Sequence, residues 1–158
     1  MKASTHFQRS NERRDTALAM SQNVDRLRAM QEAFNRRNFD DALRYLHPAV
    51  AVYPGLPEPD VNRSYHGRAE VKQLWETITE VWETLLVAFE ETIEAPGDRV
   101  AVVERWRARG RQGIEIDFQL TDVYTFRDGV IVRIEGFTNK TEGLEAAGLS
   151  KQDVHADS

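Results

Sequence analysis

The sequence predicts an α+β fold: a cone-shaped, curved antiparallel sheet packed against three N-terminal helices. Three observations carry this. In the first half of the chain apolar residues recur at three- and four-residue spacing, and in the second half they alternate with polar ones. The second half is cut by "PGD", "RGRQG" and "RDG", short glycine-containing turns that join neighbouring strands into an antiparallel meander. The strands between those turns are about ten residues long against a usual five or six, and long strands in a small domain must twist and curl.

The elements follow in order. Residues 1–20 are polar and rich in Arg, Ser and Asn, which predicts a mobile N-terminal arm before a domain over 21–149, with 150–158 as a tail. From Ser21, the spacing of Val24, Leu27, Met30, Ala33 and Phe34 fits an amphipathic helix. Asn38 interrupts it. Phe39, Ala42, Leu43 and Leu46 make a shorter second helix, stopped by Pro48. "AVAVY" (49–53) is a short strand, and "PGLPEPDVNRSYHG" (54–67) is a proline-stiffened loop and candidate rim. A third helix starts at Arg68, with Glu70 favouring its N-terminal dipole and Val71, Leu74, Trp75 and Ile78 on its buried face. Strands are expected near 85–95, 99–109, 114–126 and 130–138. In "NKTEGLEAAGL", Asn139 caps a last helix, with Glu142 three residues on and Gly148 placed to end it.

The totals exclude several classes. The 158 residues suit one domain. A net charge of −5 argues against a nucleic-acid-coating protein, which wants a basic surface. No apolar run approaches a membrane span, and the first residues lack the apolar core of a secretory signal. With no cysteine there is neither a disulfide nor a thiolate nucleophile, which agrees with a cytoplasmic location. No two histidines have metal-ligand spacing and no glycine-rich phosphate loop is present, so neither metal nor cofactor is expected.

The residue that asks for an explanation is Asp122. In "FQLTDVYTFRDG" it shares a strand phase with Phe118, Leu120, Tyr124 and Phe126, while Gln119, Thr121 and Thr125 take the other. It should therefore point into the interior, where a carboxylate must be paired, hydrogen-bonded or protonated. Two roles fit: a satisfied internal bond to an Arg, a Tyr or a backbone amide, or an acid, base or hydrogen-bond donor facing a pocket. In "VAVVERWRARGR" (100–111), Val100, Val102, Trp106 and Ala108 look like one buried face, broken by Glu104. Arg105 either reaches the pocket to pair with Asp122 or belongs to an exposed arginine ladder. Tyr53, at the end of its strand, could orient a ligand through its hydroxyl, and His66 could titrate near neutral pH.

Together "RNFDDALRYLHPAVAVYPG", "YHGRAEVKQLW" and "DVYTFRDGVIVRIEGF", with the ending "EGLEAAGLS", resemble the SnoaL-like branch of the nuclear-transport-factor-2-like superfamily. That group includes ketosteroid isomerases, polyketide cyclases, scytalone dehydratase, limonene epoxide hydrolase and many non-catalytic binding modules. Asp122 falls where ketosteroid isomerases keep a protonated, donating Asp. Their general-base Asp would fall at Tyr53 or Pro54 and their oxyanion Tyr near Met30. Arg105 and Tyr53 fall close to the Arg and Tyr of limonene epoxide hydrolase. Its Asn matches Gly55, and its two Asp fall near Arg107 and Gly136.

The resemblance implies a homodimer formed through the convex sheet face, to which Trp106 would contribute, and a pocket for a small apolar or amphipathic molecule. The candidate catalytic residues are Asp122, Arg105 and Tyr53. The candidate ligand wall is Trp75, Phe118, Leu120, Ile134, Gly136 and His66, with Gly136 leaving room for the ligand. The function expected is small-molecule binding in an apolar pocket anchored by a buried Asp. The alternative is acid–base catalysis on a carbonyl or polyketide-like substrate.

Overall fold

A computed structural model describes residues 22–57 and 59–150; the expected N-terminal arm, and the tail beyond Ser150, lie outside them. Helix α1 is described over residues 22–35 and buries Leu27, Met30 and Ala33, as their spacing predicts. It closes on Arg37 in the left-handed region (φ 60°), where Asn38 N–H reaches back to the Ala33 carbonyl at 2.9 Å. Asn38 then caps α2 (Phe39–Leu43) by accepting from Asp41 N–H. The second helix thus stops at Leu43, and Leu46 already opens strand β1 (Leu46–Tyr53), whose long stretch includes Pro48. A 3-10 turn (Pro59–Val61), strand β2 (Tyr65–His66) and helix α3 (Gly67–Glu80) follow. The buried face of α3 is Val71, Leu74, Trp75 and Thr79.

Four long strands complete the sheet: β3 (Thr84–Ala95), β4 (Arg99–Arg109), β5 (Glu115–Arg127) and β6 (Val130–Phe137). They form the antiparallel meander that the turns predict. At the last turn Asp128 (φ 52°) and Gly129 (φ 80°) both hold the positive φ that suits a two-residue hairpin. The sheet order is β2-β1-β6-β5-β4-β3, and β1 joins β6 in parallel. The sheet is curved and open, with α1, α2 and α3 on its concave side.

Even-numbered residues of β4 and β5 face that side: Val100, Val102, Trp106, Leu120, Tyr124 and Phe126 share one core with α1 and α3. Odd-numbered Ala101 and Val123 belong to a second, smaller core on the convex side with Leu144, Ala147 and Leu149. Helix α4 (Lys140–Ala146) builds that core. Asn139 caps it by accepting from Glu142 N–H, and Gly148 (φ 82°) follows its end. The middle of β4 is therefore buried on both faces, as its doubly apolar sequence suggests.

Candidate functional site

The concave side encloses a cavity of about 90 Å³ between α1, α3 and the sheet. Its walls are mostly apolar and include Met30, Phe34, Leu74, Trp75, Leu120 and Ile134. Phe34 stands edge-on to Trp75, with ring centroids 5.7 Å apart, and also touches Phe39 and Trp106. On the sheet floor three polar side chains converge: Glu104, Asp122 and Tyr124. Strict alternation puts them there. Val102 pairs with Asp122, Glu104 with Leu120 and Val100 with Tyr124, so Glu104 and Asp122 are diagonal neighbours on one face.

Glu104 is 2% exposed. Its Oε1 accepts from Trp106 Nε1–H at 3.1 Å and its Oε2 from the Tyr124 hydroxyl at 2.8 Å. The same hydroxyl lies 3.4 Å from Asp122 Oδ2. A phenol has one proton, and the shorter contact takes it. Asp122 is left with the weaker partner, and the part of it that is accessible faces the cavity.

Burial pushes the Asp122 carboxyl well above the usual carboxylate range, and the neighbouring Glu104 charge pushes it further. Burial also raises Glu104, opposed by its bonds to Asp122, Trp106 and Tyr124. Tyr124 is raised as well, by burial and then by the two carboxyls. Two acids this close do not both ionise readily. Glu104 has two close donors and Asp122 only the longer contact from Tyr124, so the surroundings favour the proton on Asp122. The floor then presents a carboxylic acid whose hydrogen can point to Glu104 or to a bound molecule. Among the described residues no group of three or more His, Asp or Glu is placed to hold a metal ion.

Of the two readings of Arg105, the pairing with Asp122 is corrected. Arg105 lies opposite Gln119 in the register, on the convex face. There it bonds Glu90 at 3.4 Å and Asp117 at 3.2 Å, and Arg107 reaches the same Asp117. An odd position on an unbulged stretch of strand cannot cross to the even face. The arginine ladder is the alternative that holds. By the same phase rule Trp106 is concave and 8% exposed, so it does not serve a convex interface.

Tyr53 borders the cavity, but its ring stands against His66 and under the Arg133 guanidinium, 4.7 Å from its centroid. Arg133 pairs with Thr125 on the convex face, so the Tyr53 ring belongs to the outer surface with exposed His66. His66 is not part of the cavity lining, and Tyr53 shares the cavity, at its edge, with Asp122. Trp75, Leu120 and Ile134 do line its cavity, and Phe118 lies one step outward, stacked on Trp106 with centroids 5.7 Å apart. Gly136 sits directly opposite Asp122, but not to leave ligand space. A Cβ there would come within 2.5 Å of Gly55 N and 2.9 Å of Asp122 Oδ1, so protein atoms occupy that room. Glu104 is the functional candidate not singled out from the sequence. Its signal, an acid breaking an apolar phase, is the one that marks Asp122.

The SnoaL-like domain model matches residues 27–134. The chain belongs to the SnoaL-like family. Solved structures of similar fold include TerC co-crystallised with polyporic acid, 22% identical with a TM-score of 0.67, over 80% of this SnoaL-like chain and 98% of TerC. An NTF2-like protein of Burkholderia pseudomallei K96243 is 23% identical, with a TM-score of 0.66, over 80% of this chain and 97% of that one. RV0760c of Mycobacterium tuberculosis, in complex with estradiol-17beta-hemisuccinate, is 16% identical with a TM-score of 0.64, over 75% of this chain and 95% of that one. At these identities the likeness is one of fold. No curated protein is significantly similar in sequence to the SnoaL-like chain.

Proposed function

We propose that this SnoaL-like protein binds a small, largely apolar molecule carrying a carbonyl or similar acceptor, and that protonated Asp122 donates the anchoring hydrogen bond. The observation that carries this reading is the Asp122 carboxyl, set beside Glu104 on the floor of an apolar cavity. An apolar site with few, well-placed polar groups suits such a ligand. Two relatives of the same fold are seen with organic ligands, TerC with polyporic acid and RV0760c with a steroid ester, which supports the ligand class. Carbon-13 NMR of the side-chain carboxyls tests the donor, with Asp122→Asn to assign its signal. The Asp122 signal should stay in its protonated form at neutral pH. An Asp122 already ionised there overturns the reading.

A second reading, acid–base catalysis, is favoured by one observation: Glu104 and Asp122 lie side by side on the cavity floor in unequal surroundings, Glu104 with two close donors and Asp122 with one longer contact, the pattern that assigns acid and base. Protium–deuterium exchange next to the carbonyl of a cyclic ketone, followed by NMR, checks it. Exchange faster than in buffer, and lost in Asp122→Asn, would establish catalysis; a rate equal to buffer leaves binding alone. Within the same proposal the protein is cytoplasmic and homodimeric. The exposed part of the convex face mixes Arg105 and Arg107 with Glu90 and Asp117, a mixture that a two-fold axis can make self-complementary.

A further inference from the structure

A second cleft lies beside the cavity, between the end of α3 and the β4–β5 strands. Its volume is about 530 Å³. Trp82, Ile116 and Phe118 line it, and it shares Leu56, Ile78 and Trp106 with the inner cavity. The two spaces are thus adjoining compartments with a common wall. Trp106 serves both: its indole N–H holds Glu104, while its ring stacks on Phe118 at an interplanar angle of 21°.

Size decides how they are used. The inner cavity's 90 Å³ corresponds to roughly six to nine water-sized spheres, enough for a single ring. Small-molecule sites usually start at about 300 Å³. The inner chamber falls below that range and the outer cleft lies inside it. Trp82, Trp106 and Phe118 give the outer cleft aromatic surface beside Leu85 and Ile116, with the Glu115 and Asp117 carboxyls also in its lining, and the aromatic part favours a stacked ring.

We infer that the site takes a two-part ligand: a single-ring head with a hydrogen-bond acceptor in the inner chamber, and a flat apolar extension in the outer cleft, joined past Leu56, Ile78 and Trp106. This rests on the proposed role of Asp122 as donor to the head. It adds a second binding site, with its own chemistry, to that of the head.

Cyclohexanone and 4-phenylcyclohexanone test it, with dissociation constants from NMR titration of the full chain. Burial of the phenyl ring should tighten binding about tenfold over cyclohexanone. Phe118→Ala and Trp82→Leu, on opposite walls, should each cut that ratio to about threefold or less. Trp82→Leu keeps the test open if Phe118→Ala fails to fold. Asp122→Leu, which removes the donor at similar volume, should weaken both ketones together and preserve the ratio. Equal binding of the two ketones, or a ratio that survives both wall variants, overturns the two-part ligand while leaving the Asp122 anchor standing. A ratio that falls as expected, with Asp122→Leu weakening neither ketone, supports the outer cleft and sinks the anchor. Failure of both ketones to bind overturns both.

Discussion

Asp122 is the residue around which the protein's chemistry turns, and its neighbours set its charge. Burial and the Glu104 carboxylate both favour the neutral acid in the folded state. In the unfolded chain an Asp titrates near its ordinary value of about 4. The folded value is the higher one, so the folded state binds the extra proton between the two. Stability from this group is full below the ordinary value and is lost as pH rises through the raised one. Glu104 and Tyr124 shift the same way and deepen the loss on the alkaline side. Asp122→Asn keeps the shape and removes the proton. We therefore expect the variant to lose less stability than the parent between acid and alkaline pH, measured by urea unfolding across that range. A parent curve no steeper than the variant's would mean that Asp122 is ionised in the fold. The sequence exposes Asp122 through its phase and Glu104 through the same device. It does not show their partnership, because a diagonal contact depends on the register of two strands.

At the scale of elements, the loop after β1 crosses the sheet where two glycines meet. Asn62 closes that loop, its side chain accepting from Leu56 N–H at 3.0 Å and donating to the Leu56 carbonyl at 2.7 Å. Gly55 passes so near β6 that a Cβ on it would lie 2.2 Å from the Gly136 carbonyl oxygen. Backbone cannot yield as a side-chain tip can. Gly55→Ala should cost about 3 kcal/mol or more, at the upper end for overpacking. Urea unfolding measures it, and a loss below about 1 kcal/mol would mean that the two strands separate easily. The helices, hairpins and the cap of α4 were legible because each is a local signal within a few residues. The β1 boundary was not: pairing with β6, far along the chain, carries the strand through Pro48 back to Leu46. Arg105 was misplaced for a related reason, since chemical type suggested a pocket and strand phase sent it outward.

For the whole molecule, two cores share one sheet, and each face has its own business. The concave face holds the cavity. The convex face is divided between α4 and an exposed ladder of paired charges. Isolated exposed pairs add about 0–1 kcal/mol each, so the ladder is a weak stabiliser of the monomer and better suited to setting how two copies meet. Sedimentation equilibrium should give twice the mass of the chain. The double variant Arg105→Glu with Arg107→Glu should shift it toward monomer by setting like charges against Glu90 and Asp117. A parent that sediments as a monomer throughout the micromolar range removes the dimer.

The sequence by itself determined the α+β class, the meander, the cap of the last helix and the inward address of Asp122, because periodicity and turn chemistry act over short distances. Only the tertiary structure decided that the acid's partner is Glu104 and not Arg105, that Tyr53 faces outward, and that Gly136 makes room for backbone. Those outcomes depend on register and on the close crossing of segments remote in the chain, and no local pattern carries that information.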